Sequence, residues 1–156
     1  MDSIDRKILR ELQRDCSGSI AEIADRAGVS QTPCWRRIKK LEEAGYITQR
    51  VALLDQDLLN LGMTAYVMIK TSHHDDAWLK RFSEGVSLIP EVMEIHRMAG
   101  DIDYLLKIVA TDMSDYDRIY KRLITVAELF DVSASFSMER IKTSTELPLD
   151  RIGAPR

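Results

Sequence analysis

Gly28-Val29-Ser30-Gln31-Thr32-Pro33-Cys34-Trp35-Arg36-Arg37-Ile38-Lys39-Lys40-Leu41-Glu42-Glu43-Ala44-Gly45 is the stretch that decides the fold of the first third of the chain. Gly28 permits a tight turn that residues with a Cβ resist. Ser30 is a natural helix cap, and Pro33 falls in the first turn, where a missing N–H costs little. Gly45 closes the helix. Successive helical residues rotate by ~100°, so Cys34, Ile38 and Leu41 share one side and predict a core-facing stripe. Thr32, Arg36, Lys39 and Lys40 fall on the other side, with Gln31 and Trp35 on the flank. Arg37 falls near the core flank, a position from which it can pair with an acid inside the domain.

Working outward, residues 3–15 place Ile4, Ile8, Leu9 and Leu12 at helical spacing, with Ser3 as the expected cap. Ser17-Gly18-Ser19 interrupts, and residues 20–27 put Ile20, Ile23, Ala24 and Ala27 on one face. Three short amphipathic helices with a glycine turn before the third are the helix-turn-helix pattern. The first turn of the third helix is the part that reaches base edges in a major groove. Gln31, Thr32, Trp35 and Arg36 are therefore the base-reading candidates, since Gln can pair with adenine and Arg with guanine. Lys39 and Lys40 are candidates for phosphate contact, which adds affinity without selectivity, and Arg37 is a further DNA-binding candidate.

Beyond this domain the period changes. Residues 46–54 are apolar and β-branched enough for an exit strand, and 55–62 read as a connection. Then follow a strand (63–71), a helix (75–87), two strands (92–98 and 103–110) joined by a Gly100-Asp101 turn, a helix (113–127) and a strand (132–141). The β-α-β-β-α-β order predicts a ferredoxin-like sheet. The expected organisation is α+β: a winged-helix-like helix-turn-helix domain over 1–50, a linker strand over 51–61, a ferredoxin-like (ACT-like) domain over 62–145 and a loose tail over 146–156.

Composition narrows the function classes. With 45% hydrophobic and 30% charged residues the chain reads as globular rather than disordered. It carries no apolar run long enough to span a bilayer and no signal-peptide pattern at Met1, so a cytoplasmic location is expected. Cys16 and Cys34 form no paired motif and read as reduced thiols. The net charge is −3, yet residues 1–50 hold ten Lys/Arg against eight Asp/Glu, and the remainder twelve against seventeen. A polyanion senses the local basic face, not the global sum. There is no Ser/His/Asp set and no phosphate-cradling glycine loop, so no catalytic residue is assigned. His73-His74-Asp75-Asp76 offers adjacent histidines without a third ligand nearby, so no metal or other cofactor is expected. An RNA-recognition sheet needs paired aromatics on its central strands, and only Tyr104 is present there.

At this point several blocks together resemble the Lrp/AsnC (leucine-responsive, asparagine-regulator) family of bacterial transcription regulators. The run from Ile4 to Gln13 is similar to its first helix. Ile23-Ala24, Gly28-Val29-Ser30 and Arg37 through Ile47 resemble its helix-turn-helix and exit strand. Gly100-Asp101-Ile102-Asp103-Tyr104 resembles its turn after the third strand of the chain, and Met138-Glu139-Arg140-Ile141-Lys142 the end of its last strand. The resemblance implies a regulator of double-stranded DNA that answers to an amino acid effector. It also implies a homodimer joined through the C-terminal sheets and assembling to tetramers or octamers. It places Met98, Ala99, Gly100, Asp101, Asp103 and Tyr104 along the effector pocket, where backbone N–H groups would hold a carboxylate and an aspartate an ammonium. Ala99 stands where the family often has Ser or Thr. Ser133 and Ser135, on the last strand, are candidates to restore that polarity from the same subunit or a neighbour.

Overall fold

The computed structural model describes residues 1–73 and 75–151. His74 of the histidine pair and the last five residues of the expected tail lie outside them. The chain divides into two compact units: Met1–Leu53 together with the described residues from Ile141 onward, and Leu54–Arg140.

The first unit holds α1 (Ser3–Arg14), α2 (Ile20–Ala27) and α3 (Gln31–Glu43). The cap of α1 is Asp2 and not Ser3. Its carboxylate accepts from the Asp5 N–H, and the Asp5 carboxylate accepts from the Asp2 N–H, a reciprocal capping box. Ser19 and Glu22 build the same device on α2. Gly28 ends α2 in the left-handed region (φ 70°), which lets the Val29 N–H return to the Ala24 carbonyl at 2.9 Å. Ser30 occupies the cap position of α3, but its hydroxyl makes no capping hydrogen bond. Ile8, Ile23, Ala24, Ala27, Cys34 and Ile38 form the core between the three helices, as their spacing predicts.

Two expectations for this unit are corrected. Residues 46–54 form no strand, because no described strand of the chain lies beside them to share a ladder. The segment 146–151 is not a loose tail. Leu149 is buried against Leu9 and Leu41, and Leu149–Arg151 forms a 3₁₀ turn.

The second unit is an antiparallel sheet with two helices on one face: β1 (Met63–Lys70), α4 (Asp76–Ser87), β2 (Val92–Arg97), β3 (Tyr104–Ala110), α5 (Met113–Val126) and β4 (Asp131–Phe136). The strand order is β2-β3-β1-β4, the ferredoxin-like arrangement. The period of two decides the faces. Ala65, Val67 and Ile69 of β1 and Leu106 and Ile108 of β3 face inward onto Trp78, Phe82, Val86, Ile119 and Leu123 of the helices. Trp78 and Phe82 stack at 4.9 Å, and burial of side chains this size contributes roughly 1.5–3 kcal/mol each. β4 stops at Phe136, short of the expected 141. It pairs antiparallel with β1, and the Ser137 N–H to the Thr64 carbonyl is the last rung before β1 itself begins.

Candidate nucleic-acid interface and effector loop

α3 presents two chemically distinct sides. Cys34, Ile38 and Leu41 are buried, while Gln31, Thr32, Trp35, Arg36, Lys39 and Lys40 are exposed. Trp35 keeps 49% of its surface open, so it is a surface group and not a packing residue. Burial without a charged partner pushes the Cys34 thiol up, which makes it a small hydrophobe of the core.

The cations of this helix differ in what they are free to do. Lys39 Nζ donates to Glu42 at 3.2 Å, and Arg50 donates to the same carboxylate at 2.8 Å. Those contacts, Lys39 first, hold the Glu42 carboxyl below its usual range. Arg37 is bracketed more tightly. Its Nη1 donates to Asp2 Oδ2 at 2.6 Å and to Asp5 Oδ1 at 2.7 Å. The Asp5 N–H first and the Arg37 guanidinium second hold Asp2 down at about 2. Both acids push the Arg37 guanidinium up. The α1 capping box thus doubles as the receptor for an arginine of α3. Arg37 is turned toward α1, which argues against its DNA-binding assignment and for the pairing with an acid inside the domain. Among the described residues Arg36 and Lys40 have no ion-pair partner, and with Gln31, Thr32 and Trp35 they form one continuous exposed strip.

The second candidate surface is the β2–β3 turn. Met98, Ala99, Gly100 and Asp101 are exposed. Gly100 adopts φ 141°, a region side chains with a Cβ avoid. The turn is pinned at its base, where the Met98 N–H donates to the Asp103 carbonyl at 2.8 Å and the Asp103 N–H to the Ile69 carbonyl at 2.9 Å. The Asp103 carboxylate accepts from the Thr71 N–H at 2.8 Å, so it ties the end of β1 to the turn. Tyr104 does not line this turn. It is buried, 4.9 Å from the Phe82 ring and 5.7 Å from Trp78, because the alternation of β3 sends it into the helix-covered core. Ser133 and Ser135 are exposed on β4, opposite Met68 and Tyr66 of β1. β1 and β3 separate them from β2, so one chain does not bring them to the turn.

His73 lies 3.5 Å from Glu128 and His96 2.9 Å from Glu94. Among the described residues no cluster of three or more His, Cys, Asp or Glu could hold a metal ion. Sequence reasoning allowed Arg37 an acid inside the domain but did not identify Asp2 and Asp5 as that partner. Their spacing marks a capping box, but nothing local points to Arg37.

Residues 1–48 match the model of a winged helix-turn-helix DNA-binding domain, and residues 64–147 the Lrp/AsnC ligand binding domain. The chain is 47% identical over 151 residues to the DNA-binding transcriptional activator DecR of Escherichia coli (strain K12), covering 96% of this chain and 99% of that protein. It is 48% identical over 149 residues to the glutamate uptake regulatory protein of Zymomonas mobilis, covering 96% and 91%. Among solved structures it is similar to an AsnC family transcriptional regulator from Agrobacterium tumefaciens, with TM-score 0.93, 55% identity and coverage of 96% and 98%. A transcriptional regulator from Neisseria meningitidis in complex with L-Met superposes with TM-score 0.90 at 34% identity, covering 96% and 97%.

Proposed function

This chain belongs to the Lrp/AsnC family of DNA-binding transcriptional regulators, and from that premise we propose that α3 reads operator DNA through Gln31, Thr32, Trp35 and Arg36 while Lys40 and Lys39 hold phosphate. The observation that carries this reading is the exposed strip on α3, apolar behind and cationic in front, with Arg37 withdrawn from it. The first unit supplies DNA binding and the second supplies ligand binding; the protein is a regulator and not an enzyme.

The ligand is an amino acid. The Neisseria relative holds L-Met, and the turn here has what such a molecule needs: backbone N–H groups around Ala99, Gly100 and Asp101 to donate to its carboxylate, and carboxylates at Asp101 and Asp103 to accept from its ammonium. Two copies join through the sheet face that no helix of the unit covers. Tyr66 is 40% exposed there, beside Met68 and Leu105. Dimers then assemble to tetramers or octamers. Ser133 and Ser135 serve the pocket from a neighbouring subunit. Ligand acts by changing assembly and so the spacing of recognition helices, whose half-sites lie about one helical turn of DNA apart or a multiple of it. A protein with this task works in the bacterial cytoplasm, at the nucleoid.

The test is selection of binding sites from a random duplex pool by the wild-type protein and by Arg36→Ala. A base contact predicts relaxed preference at one position and weaker binding by about 1–3 kcal/mol. Unchanged selectivity would remove Arg36 from the reading set.

A further inference from the structure

The chain's own segment Glu146-Leu147-Pro148-Leu149-Asp150 lies along α1 and is recognised there as a peptide would be. Gln13 reads the backbone of Leu147 in both directions: its Oε1 accepts from the Leu147 N–H at 2.7 Å, and its Nε2 donates to the Leu147 carbonyl at 3.3 Å. On either side of this amide, basic side chains of α1 meet the acidic ends of the segment. Arg10 Nη2 donates to Asp150 Oδ1 at 2.7 Å, and Arg14 Nε lies 3.4 Å from Glu146 Oε2. Leu149 is the anchor, 7% exposed and packed with Leu9 of α1 and Leu41 of α3.

We propose that α1 is a docking surface for this acidic–apolar segment, and that its docking sets the position of the recognition helix. Leu41 is the link. It sits in the last turn of α3, and its carbonyl receives the Tyr46 N–H that closes the helix. Leu149 therefore braces the end of α3 from the side opposite the DNA-reading strip, and Gln13, Arg10 and Arg14 act as positioning residues without touching DNA. The inference rests on the DNA-binding function of α3, but docking is measurable without DNA.

Two measurements decide it. The first is hydrogen exchange at the Leu147 amide in the full-length protein, compared with a free peptide spanning 144–150. Docking predicts slowing of about tenfold or more, lost in Gln13→Ala. The second is the affinity for a fluorescent mixed-sequence duplex at fixed low salt. A chain ending at Thr145 should bind at least about fivefold more weakly, with recovery when the peptide is added in trans, because a misplaced helix forfeits contacts across the interface. If the shortened chain does not fold, full-length Leu149→Ala takes its place in the same assay. An unprotected Leu147 amide overturns the docking, and DNA affinity unchanged in the shortened chain or in Leu149→Ala overturns the positioning role.

Discussion

Arg37 and Asp5 are 2.7 Å apart across α3 and α1, and Asp2 reaches the same guanidinium nitrogen at 2.6 Å. Two arginines adjacent in sequence thus have opposite fates. Arg36 has no ion-pair partner among the described residues and faces outward, whereas Arg37 is consumed inside the domain. Salt dependence separates the two roles, since each phosphate neutralised contributes about 0.9 to the slope of log affinity against log salt. Lys40→Ala, which removes a phosphate contact, should reduce the slope by roughly that amount. Arg37→Ala should weaken binding with the slope unchanged, because it loosens α3 without removing a phosphate contact. A reduced slope in Arg37→Ala would show that the bracket opens on DNA.

Strong acid should loosen this bracket. Asp2 is held at about 2 in the folded chain against an ordinary 3.8. A depressed folded value means the stabilisation is complete above the unfolded value and fades as pH falls from about 4 toward 2. Circular dichroism melts across that window should show Asp2→Asn losing less stability on acidification than the wild type. Parallel pH profiles would mean that Asp2 contributes nothing.

Gly85 marks a close approach of α4 to α5. A Cβ built there would lie 2.4 Å from Val126 Cγ1, far inside van der Waals contact. Alanine is ordinarily preferred to glycine in a helix by about 1 kcal/mol, but overpacking a fixed interface typically costs about 1–3 kcal/mol. Gly85→Ala should therefore lower the melting temperature, and adding Val126→Ala should restore part of it. A stabilised single variant would show that the two helices separate easily.

Asp103 has two separable tasks. Its carboxylate accepts the Thr71 N–H, which asparagine can also do through its side-chain oxygen. Asp103→Ala should cost about 1 kcal/mol of stability, and Asp103→Asn much less. If the charge holds an amino acid's ammonium, Asp103→Asn should keep the wild-type melting temperature yet lose the shift produced by whichever of the twenty amino acids stabilises the wild type. A retained shift would leave Asp103 as a tie between β1 and the turn and nothing more.

Periodicity and punctuation made most of this architecture legible from the chain alone. The three helices, the glycine turn at Gly28 and the β-α-β-β-α-β order follow from near-neighbour patterns, because a helix or strand buries one face through residues a few positions apart. The same rule separated Cys34, Ile38 and Leu41 from the exposed strip on α3. Other features depended on partners far away in sequence. Arg37 meets Asp2 across 35 positions, and Arg10 meets Asp150 across 140. Tyr104 left the effector turn for the Trp78–Phe82 core, and 146–151 turned from a loose end into part of the DNA-binding unit. Residues 46–54 have strand composition but no strand beside them, and β4 ended where β1 began. Local sequence determines which face of an element is apolar. Which charged group meets which, and where a ladder stops, is decided only when distant segments come within a few ångströms, since hydrogen bonds and ion pairs vanish beyond that range.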